Sequence, residues 1–265
     1  MQINEANGPM DRLAIDLTGK HPRSVQGHVY ILTVIDVFSR FLIAVPLRNK
    51  EAKTVATALY RHVFCKYGTC REIQSDQGKE FNNLLLEQMC ELFGIRKLRT
   101  TAYHPSANGR VERSHRSIHS CIAKTVAKNQ RNWSEVLDLV VSAYNATKHE
   151  STQYTPNYLM YGRETLMPLD LIAAAPPEIE AETTDEYVQK LRENLETAYR
   201  NIRESTQAAA ERRKKRYDAR VKLTEYEPGK FVWVFYPRAK RNRTPKWDSY
   251  YVGPCRVERR INAVN

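Results

Sequence analysis

The sequence predicts an α/β fold in which a mixed β-sheet carries helices on both faces. Residues 10–47 contain three strand-like apolar segments in succession, and residues 51–148 alternate between amphipathic helical segments and short strands. Three antiparallel strands followed by alternating helices and strands are typical of a mixed sheet that is covered on both sides. No apolar run approaches the roughly 20 residues that a membrane span needs, so no membrane partner is expected.

The order of elements in the first part of the chain follows from side-chain periodicity and turn residues. In residues 10–17, Leu13, Ile15 and Leu17 share one face of a strand, and Asp16 points to the other. Residues 29–47 hold two further strands. The elements expected after them are a helix over 51–67, a strand over 72–75, a helix over about 82–93, a strand over 95–99, helices over about 110–128 and 133–148, and a short helix that begins at Pro156.

The second part of the chain is expected to hold a long helix and a small β-module. Residues 173–180 are a linker, and residues 184 to about 219 form one helix without Pro or Gly. That helix is too polar all round for a core helix, so we expect it to space two domains or to pair with another chain. The segments FVWVFY, YYVGPCRVE and INAV predict a small β-barrel without a clear closing strand.

Charge is concentrated at the C-terminal end. The chain has a formal net charge of +12, and residues 211–265 contain 16 Lys and Arg against 6 Asp and Glu. A basic block of this kind indicates a phosphate-rich partner, although a solvated tail is the ordinary alternative. Aromatic residues within the block favour a folded module that binds nucleic acid. The candidate DNA-binding residues of its first segment are Arg212, Arg213, Lys214 and Lys215.

The cysteines indicate no metal site. There are five, with no CxxC pair, and the first residues lack the apolar core of a secretion signal. Reduced thiols in an intracellular protein are the expected state.

Three carboxylates stand where an active site could form. Asp16 lies near the end of the first strand, Asp76 at the end of the fourth, and Glu112 in the first turn of a helix that follows a loop rich in turn residues. Convergent carboxylates suit a two-metal site, because hard cations such as Mg²⁺ prefer oxygen ligands. Spacing alone leaves other roles open: turn or cap residues for the two aspartates, and a dipole-complementing glutamate. Asp36 could equally be a ligand.

Four segments make the pattern specific. They occur in the order SDQGKEF (75–81), TTAYHPSANGRVERSHRSI (100–118), YN (144–145) and TKHESTQYTPNYLMYGRE (147–164), and 35 residues separate Asp76 from Glu112. Together they resemble the integrase of gypsy-type long-terminal-repeat retrotransposons and, more distantly, retroviral integrases. The resemblance covers about residues 10–172. It extends more weakly to YYVGPCRVERRINAVN at the end, which is similar to the small SH3-like module of those integrases.

The resemblance implies a fold, a reaction and a set of ligands. It implies an RNase H-like catalytic core over residues 1–172, a linker and long helix over 173–220, and an incomplete SH3-like basic module over 221–265. Asp16, Asp76 and Glu112 match the D,D(35)E triad and would bind two Mg²⁺ or Mn²⁺ ions. The implied reaction is phosphoryl transfer: water trims the 3′ ends of the element's DNA, and the freed 3′ hydroxyls then attack target DNA. This makes the protein a polynucleotidyl transferase with endonuclease activity.

DNA contacts are implied around Glu112. Residues 103–109 match the mobile active-site loop of the family, which makes Tyr103, Asn108 and Gly109 candidates to touch the terminal nucleotides. Arg116 and His119 follow Glu112 on the same helical face, where the family often places basic residues; His119 departs from a common lysine. A solvated helix face is the ordinary alternative for both. Trp133 and Tyr144 are expected in the core.

Partners and location are likewise implied by resemblance. The expected partners are retroelement end DNA, target DNA, further copies of the chain in a homodimer or homotetramer on DNA, and a host chromatin tether. The expected location is the nucleus, after a cytoplasmic particle. The 15 residues before Asp16 contain no His or Cys that would match the family's N-terminal zinc domain, so we expect that this domain either was cut away or never belonged to the chain, and we expect no zinc in this fragment.

Two other functions remain open. One is a domesticated, catalytically silent integrase that only binds DNA, against which the three carboxylates and the intact loop argue. The other is a different nuclease of the same fold, such as an RNase H or a transposase. The 35-residue spacing and the basic C-terminal module disfavour it.

Overall fold

The structure, a computed structural model, describes residues 6–99, 120, 122–123, 130–166, 172, 183–218, 227–235 and 251–259. The chain forms two compact units, Met1–Ala210 and Glu211–Asn265. In the described part of the chain, no helix is both long enough and apolar enough to cross a membrane.

The first unit is built on a five-stranded mixed sheet, as predicted. The strand order is β3-β2-β1-β4-β5; β1, β2 and β3 pair antiparallel, whereas β4 is parallel to β1 and β5 is parallel to β4. The strands are β1 (Arg12–Gly19), β2 (Tyr30–Asp36), β3 (Leu42–Leu47), β4 (Glu72–Ser75) and β5 (Arg96–Arg99).

Helices cover both faces of this sheet. Leu13 and Ile15 of β1 face α1 and α2, whereas Ala14 between them faces α3, because side chains alternate along a strand. The helices of the first unit, with the last running on into the second, are α1 (Ala52–Leu59, continued by a π-helical segment Tyr60–Phe64 and a last turn Cys65–Tyr67), α2 (Leu84–Leu92), α3 (Trp133–Asn145), α4 (Pro156–Tyr161) and α5 (Thr184–Asp218).

Helix α3 is fixed to the sheet at the edge strand β3. The Asn145 side chain accepts a hydrogen bond from the Leu42 backbone N–H (2.9 Å) and donates one to the Leu42 carbonyl (2.8 Å). Both residues are buried. The amide therefore satisfies the two backbone groups that Leu42 directs away from the neighbouring strand β2.

Helix α5 buries one stripe of its surface within the first unit, which corrects the expectation that it is too polar all round to pack on a core. Ala198 and Ile202 are almost fully buried against Phe38 and Leu159, and the Tyr199 hydroxyl donates to the Leu159 carbonyl at 2.9 Å. The helix is polar on most of its surface, but its one apolar stripe is enough to bury it on the core.

Gly162 makes this docking possible. It ends α4 in the left-handed conformation (φ 75°), where glycine is favoured. A Cβ there would lie 2.6 Å from Leu191 Cδ1 and 2.9 Å from Leu195 Cδ1, both on α5. Because Gly162 has no side chain, Leu191 and Leu195 of α5 can pack closely against it.

The second unit contains two antiparallel strands, β6 (Phe231–Phe235) and β7 (Tyr251–Arg256). The predicted β-barrel is not closed in the described residues of this unit, and INAV lies outside them. Within the described residues, the apolar side chains of these strands are largely exposed, Phe231 at 69% and Trp233 at 63%.

Candidate active site

Asp16 lies within β1, and Asp76 directly follows the end of the neighbouring strand β4. The parallel pairing of β1 with β4 places Ala14 opposite Gln74, and each aspartate follows two residues later. Neighbouring strands run about 4.8 Å apart, so the two carboxylates leave the sheet side by side. Both residues are half-buried, which keeps them accessible to solvent and to a ligand. Asp76 follows the end of β4 as predicted, whereas β1 continues past Asp16 to Gly19, so Asp16 lies within its strand rather than near the end.

The backbone on either side of Asp16 is held by β2. Thr33 is the register partner of Asp16, and its hydroxyl donates to the Asp16 carbonyl at 3.1 Å. The Asp16 carboxylate itself accepts from the Leu17 N–H at 2.7 Å. A carboxylate mounted in the middle of a paired strand has little freedom to move.

A tight turn after β4 orients Asp76. Its Oδ1 accepts from the Gly78 N–H at 2.9 Å, and a Cβ on Gly78 would lie 3.0 Å from that same oxygen. The turn is anchored by Phe81, which is buried and whose N–H donates to the Gly78 carbonyl at 3.0 Å. The segment SDQGKEF is therefore a carboxylate-presenting turn in which glycine permits close approach.

The alternative ligand, Asp36, is a structural residue. It pairs with Leu13 of β1, and so its side chain lies on the opposite face of the sheet from that of Asp16. Its carboxylate accepts from the Met10 N–H and from the N–H and hydroxyl of Ser39, and it is 2% exposed. Burial raises the pKa of Asp36 above its ordinary value. These bonds tie the β2–β3 turn to the segment before β1 and leave no room for a metal-ligand role.

The remaining predicted site residues divide into two groups. Arg212, Lys214 and Lys215 are exposed on the last turns of α5, and Arg213 belongs to the same helix. Near the C-terminus of a helix, cations also complement the helix dipole, so their position alone does not establish DNA binding. Those that lie outside the described residues, and so stay predictions, are Tyr103, Asn108, Gly109, Glu112, Arg116 and His119.

The donor chemistry fits a divalent metal. Within the described ranges no three His, Cys, Asp or Glu side chains converge, since Glu112 is not among them. Asp16 and Asp76 nevertheless supply two adjacent carboxylates, the ligand type that Mg²⁺ and Mn²⁺ prefer. The pair therefore fits the predicted metal site without completing it.

The connection between β1 and β2 is held to the start of α3, a contact that sequence reasoning missed. The Trp133 indole N–H donates to the Pro22 carbonyl (2.7 Å), the Val25 N–H donates to the Arg131 carbonyl (2.9 Å), and the Thr18 hydroxyl lies 3.1 Å from His21 Nε2. Trp133 is buried, as predicted. A buried tryptophan needs an acceptor for its N–H, which is the one signal that could have pointed to this contact.

Comparison with known proteins defines the class. Residues 6–105 match the family model "Integrase core domain". The chain is 32% identical over 251 residues to the Retrovirus-related Pol polyprotein from transposon 412 of Drosophila melanogaster, covering 94% of this chain and 20% of the polyprotein. It is 29% identical over 164 residues to the human Gypsy retrotransposon integrase-like protein 1, covering 62% of this chain and 31% of that protein.

One solved structure supports the fold. A chain from the cryo-EM structure of the simian T-cell lymphotropic virus intasome in complex with PP2A regulatory subunit B56 gamma has a TM-score of 0.52 and 18% identity, covering 69% of this chain and 62% of that one. Residues 6–105 are thus similar to integrase core domains, and the predicted resemblance to gypsy-type and retroviral integrases is confirmed. The chain spans about a fifth of the length of the transposon 412 polyprotein.

Proposed function

We propose that this chain is the catalytic part of a DNA integrase, which trims the 3′ ends of retroelement DNA and joins them to target DNA by metal-dependent phosphoryl transfer. The observation that carries the proposal is the pair of half-buried carboxylates, Asp16 and Asp76, on neighbouring parallel strands of an integrase core domain. Glu112 would be the third ligand.

The residues of the site would have two roles, metal binding and positioning of the metal ligands. Asp16, Asp76 and Glu112 would hold two divalent cations, which activate the attacking oxygen and stabilise the leaving one when bound. Thr33 fixes the strand that carries Asp16, and the Gly78 N–H keeps the Asp76 carboxylate in place. Each step breaks one phosphodiester bond and forms one new P–O bond, so no protein nucleophile and no ATP are needed.

DNA would be bound by several basic surfaces. The second unit carries 16 Lys and Arg against 6 Asp and Glu, a charge that suits binding to DNA phosphates. We propose the residues around Glu112 as contacts to the element's end and Arg212–Lys215 as phosphate contacts. We also propose a homodimer or homotetramer on DNA, a host chromatin tether and a nuclear location.

A strand-transfer assay tests the function. The protein is incubated with Mg²⁺, a linear DNA that carries the element's ends and a plasmid, and joined products are quantified. We expect Asp16→Asn, Asp76→Asn and Glu112→Gln each to lower the yield at least about 100-fold, as expected for loss of a metal ligand or of its electrostatic stabilisation. Asp138→Asn, an exposed carboxylate on α3, is the matched control and should leave the yield unchanged. Unchanged products in Asp16→Asn would refute the triad.

The same experiment separates the alternative. A domesticated, silent protein would bind DNA tightly and in a salt-sensitive manner, yet give no joined products with the unmodified sequence. Dependence of the products on Asp16, with normal DNA binding by Asp16→Asn, would exclude that alternative.

A further inference from the structure

We propose that a cavity beside Asp16 binds one unstacked pyrimidine base of the DNA strand that is not transferred. This inference rests on the proposed function and names a substrate contact for it. The cavity has a volume of about 170 Å³ and is lined by His21, Pro22, Ile31, Ile122, Ala123, Gln130 and Trp133.

The cavity lies on the same face of the sheet as the catalytic carboxylate. Thr18 pairs with Ile31, and Asp16 pairs with Thr33, which is two residues further along each of the two strands. Residues two apart share a face and are about 7 Å apart, so the cavity wall at Ile31 is a close neighbour of Asp16. A nucleotide next to the reacting phosphate could reach it.

The size and lining of the cavity suit one aromatic ring. An apolar cavity of about 150 Å³ accepts benzene, so 170 Å³ holds a single-ring base, while a two-ring base would project from it. The walls include the Trp133 indole and the His21 imidazole, whose ring centres are 5.6 Å apart, together with the aliphatic side chain of Ile31. Aromatic and apolar walls are what unstacked bases bind.

One wall of the cavity is held by hydrogen bonds and has cations next to it in the sequence. The β1–β2 connection is held to the start of α3 through the Trp133–Pro22 and Val25–Arg131 hydrogen bonds, so the cavity does not depend on a free loop. Exposed cations flank it at Lys20, Arg23 and Arg131, and residues 17–35 contain no Asp or Glu. An apolar protein side chain would need no such cations, whereas a nucleotide brings a phosphate with its base.

The proposed reaction itself generates a suitable base. Removing nucleotides from a 3′ end leaves the opposite 5′ nucleotides without pairing partners. An unpaired base leaves the helical stack at the lowest cost, and a cavity next to the carboxylates would hold it away from the reacting 3′ hydroxyl.

Binding of labelled DNA without divalent metal tests the inference, because no strand is then cut. The probes are a duplex with a 5′ extension of two thymines, the same duplex with abasic sites at those two positions, and one with two adenines. We expect the thymine probe to bind between about fivefold and a hundredfold more tightly than the abasic probe, the range of base–aromatic stacking. The adenine probe should bind more weakly than the thymine probe.

Two sets of variants locate the effect. Ala123→Phe fills the cavity from an exposed helix position and should abolish the preference for thymine over abasic DNA; Ala143→Phe, an exposed alanine on α3, should keep it. Arg23→Gln with Arg131→Gln should weaken the thymine and abasic probes equally and lower the salt slope by about 1 per cation.

The outcomes distinguish this inference from the proposed function. Equal affinity for the thymine and abasic probes would overturn the base site, and so would a thymine preference that survives in Ala123→Phe. Equal affinity for adenine and thymine would overturn the single-ring assignment. The integrase function would stand in each case if strand transfer depends on Asp16, and would fall if the protein bound no DNA and gave no products.

Discussion

Replacing Asn145 should lower the free energy of unfolding, because it leaves two backbone groups at the sheet edge without hydrogen-bond partners. Asn145→Leu removes the acceptor for the Leu42 N–H and the donor to the Leu42 carbonyl, and both backbone groups are buried. Each buried group left without a partner costs about 1–3 kcal/mol, so we expect the free energy of unfolding to fall by about 2–6 kcal/mol. For a unit of this size the melting temperature should fall by roughly 5–20 °C.

Asn145→Asp provides the internal control, because it keeps the acceptor and replaces the donor. The ionised carboxylate would face the Leu42 carbonyl, so folding should favour the protonated form and raise the pKa of the introduced group. The folded state then binds more protons than the unfolded state, and stability falls as the pH rises above about 4 through the folded pKa. The loss in the free energy of unfolding of Asn145→Asp, relative to the unmodified protein, should therefore be smaller at pH 4 than at pH 7.

Urea and thermal unfolding, followed by circular dichroism at both pH values, measure these changes. A loss below about 1 kcal/mol in Asn145→Leu, smaller than one unsatisfied group costs, would refute the reasoning. A pH-independent deficit in Asn145→Asp would show that the donor to Leu42 is not what the fold requires.

Three further changes test other parts of the molecule. Ile202→Ala should cost about 2–5 kcal/mol in urea unfolding because it leaves a cavity under α5, whereas the half-exposed Val188→Ala on the same helix should cost well under 1 kcal/mol; equal effects would contradict the docking. Burial raises the pKa of Asp36, so that residue's contribution falls as the pH rises above about 4, and Asp36→Asn should flatten stability between pH 4 and pH 7; an unchanged slope would argue against it. Gly78→Ala should lower strand transfer about tenfold or more by displacing Asp76, with the melting temperature nearly unchanged; full activity would show that the turn tolerates a side chain.

Local patterns predict the strands well. The strand over 72–75 is found with those bounds, because a turn signal, Asp76-Gln77-Gly78, closes it. The strand expected over 10–17 is found at Arg12–Gly19, since its pairing with β2 extends the ladder beyond the apolar residues. Pairing partners are distant in sequence, so strand ends are less visible than strand centres.

Helix placement depends on partners that the sequence does not reveal. The sequence locates the apolar stripe of α5 correctly. The residues that bury this stripe, Phe38 and Leu159, are far away in the chain. The helix over 51–67 was expected to be regular. A π-helical segment, Tyr60–Phe64, interrupts it, which a regular helical period does not anticipate.

The candidate site was predictable in outline. Both aspartates follow from the integrase motif, Asp76 also follows from a strand end, and the adjacency of their strands follows from parallel pairing. The sequence does not show that Asp36 is structural rather than a metal ligand, because its burial and its hydrogen bonds with Met10 and Ser39 depend on the tertiary structure. The cavity at Trp133 was likewise invisible, since its walls come from a loop, a strand and two helical segments.

The capped edge of β3 also limits how copies of this protein can assemble. Leu42, Ala44 and Pro46 direct their backbone nitrogens away from β2. The Leu42 N–H already donates to the Asn145 side chain, and Pro46 has no backbone N–H. A strand from another molecule would find too few donors to add itself to this sheet. Self-association must therefore use side-chain surfaces, such as helix faces, rather than a continuous intermolecular sheet at this edge, and the same edge is protected against amyloid-like aggregation.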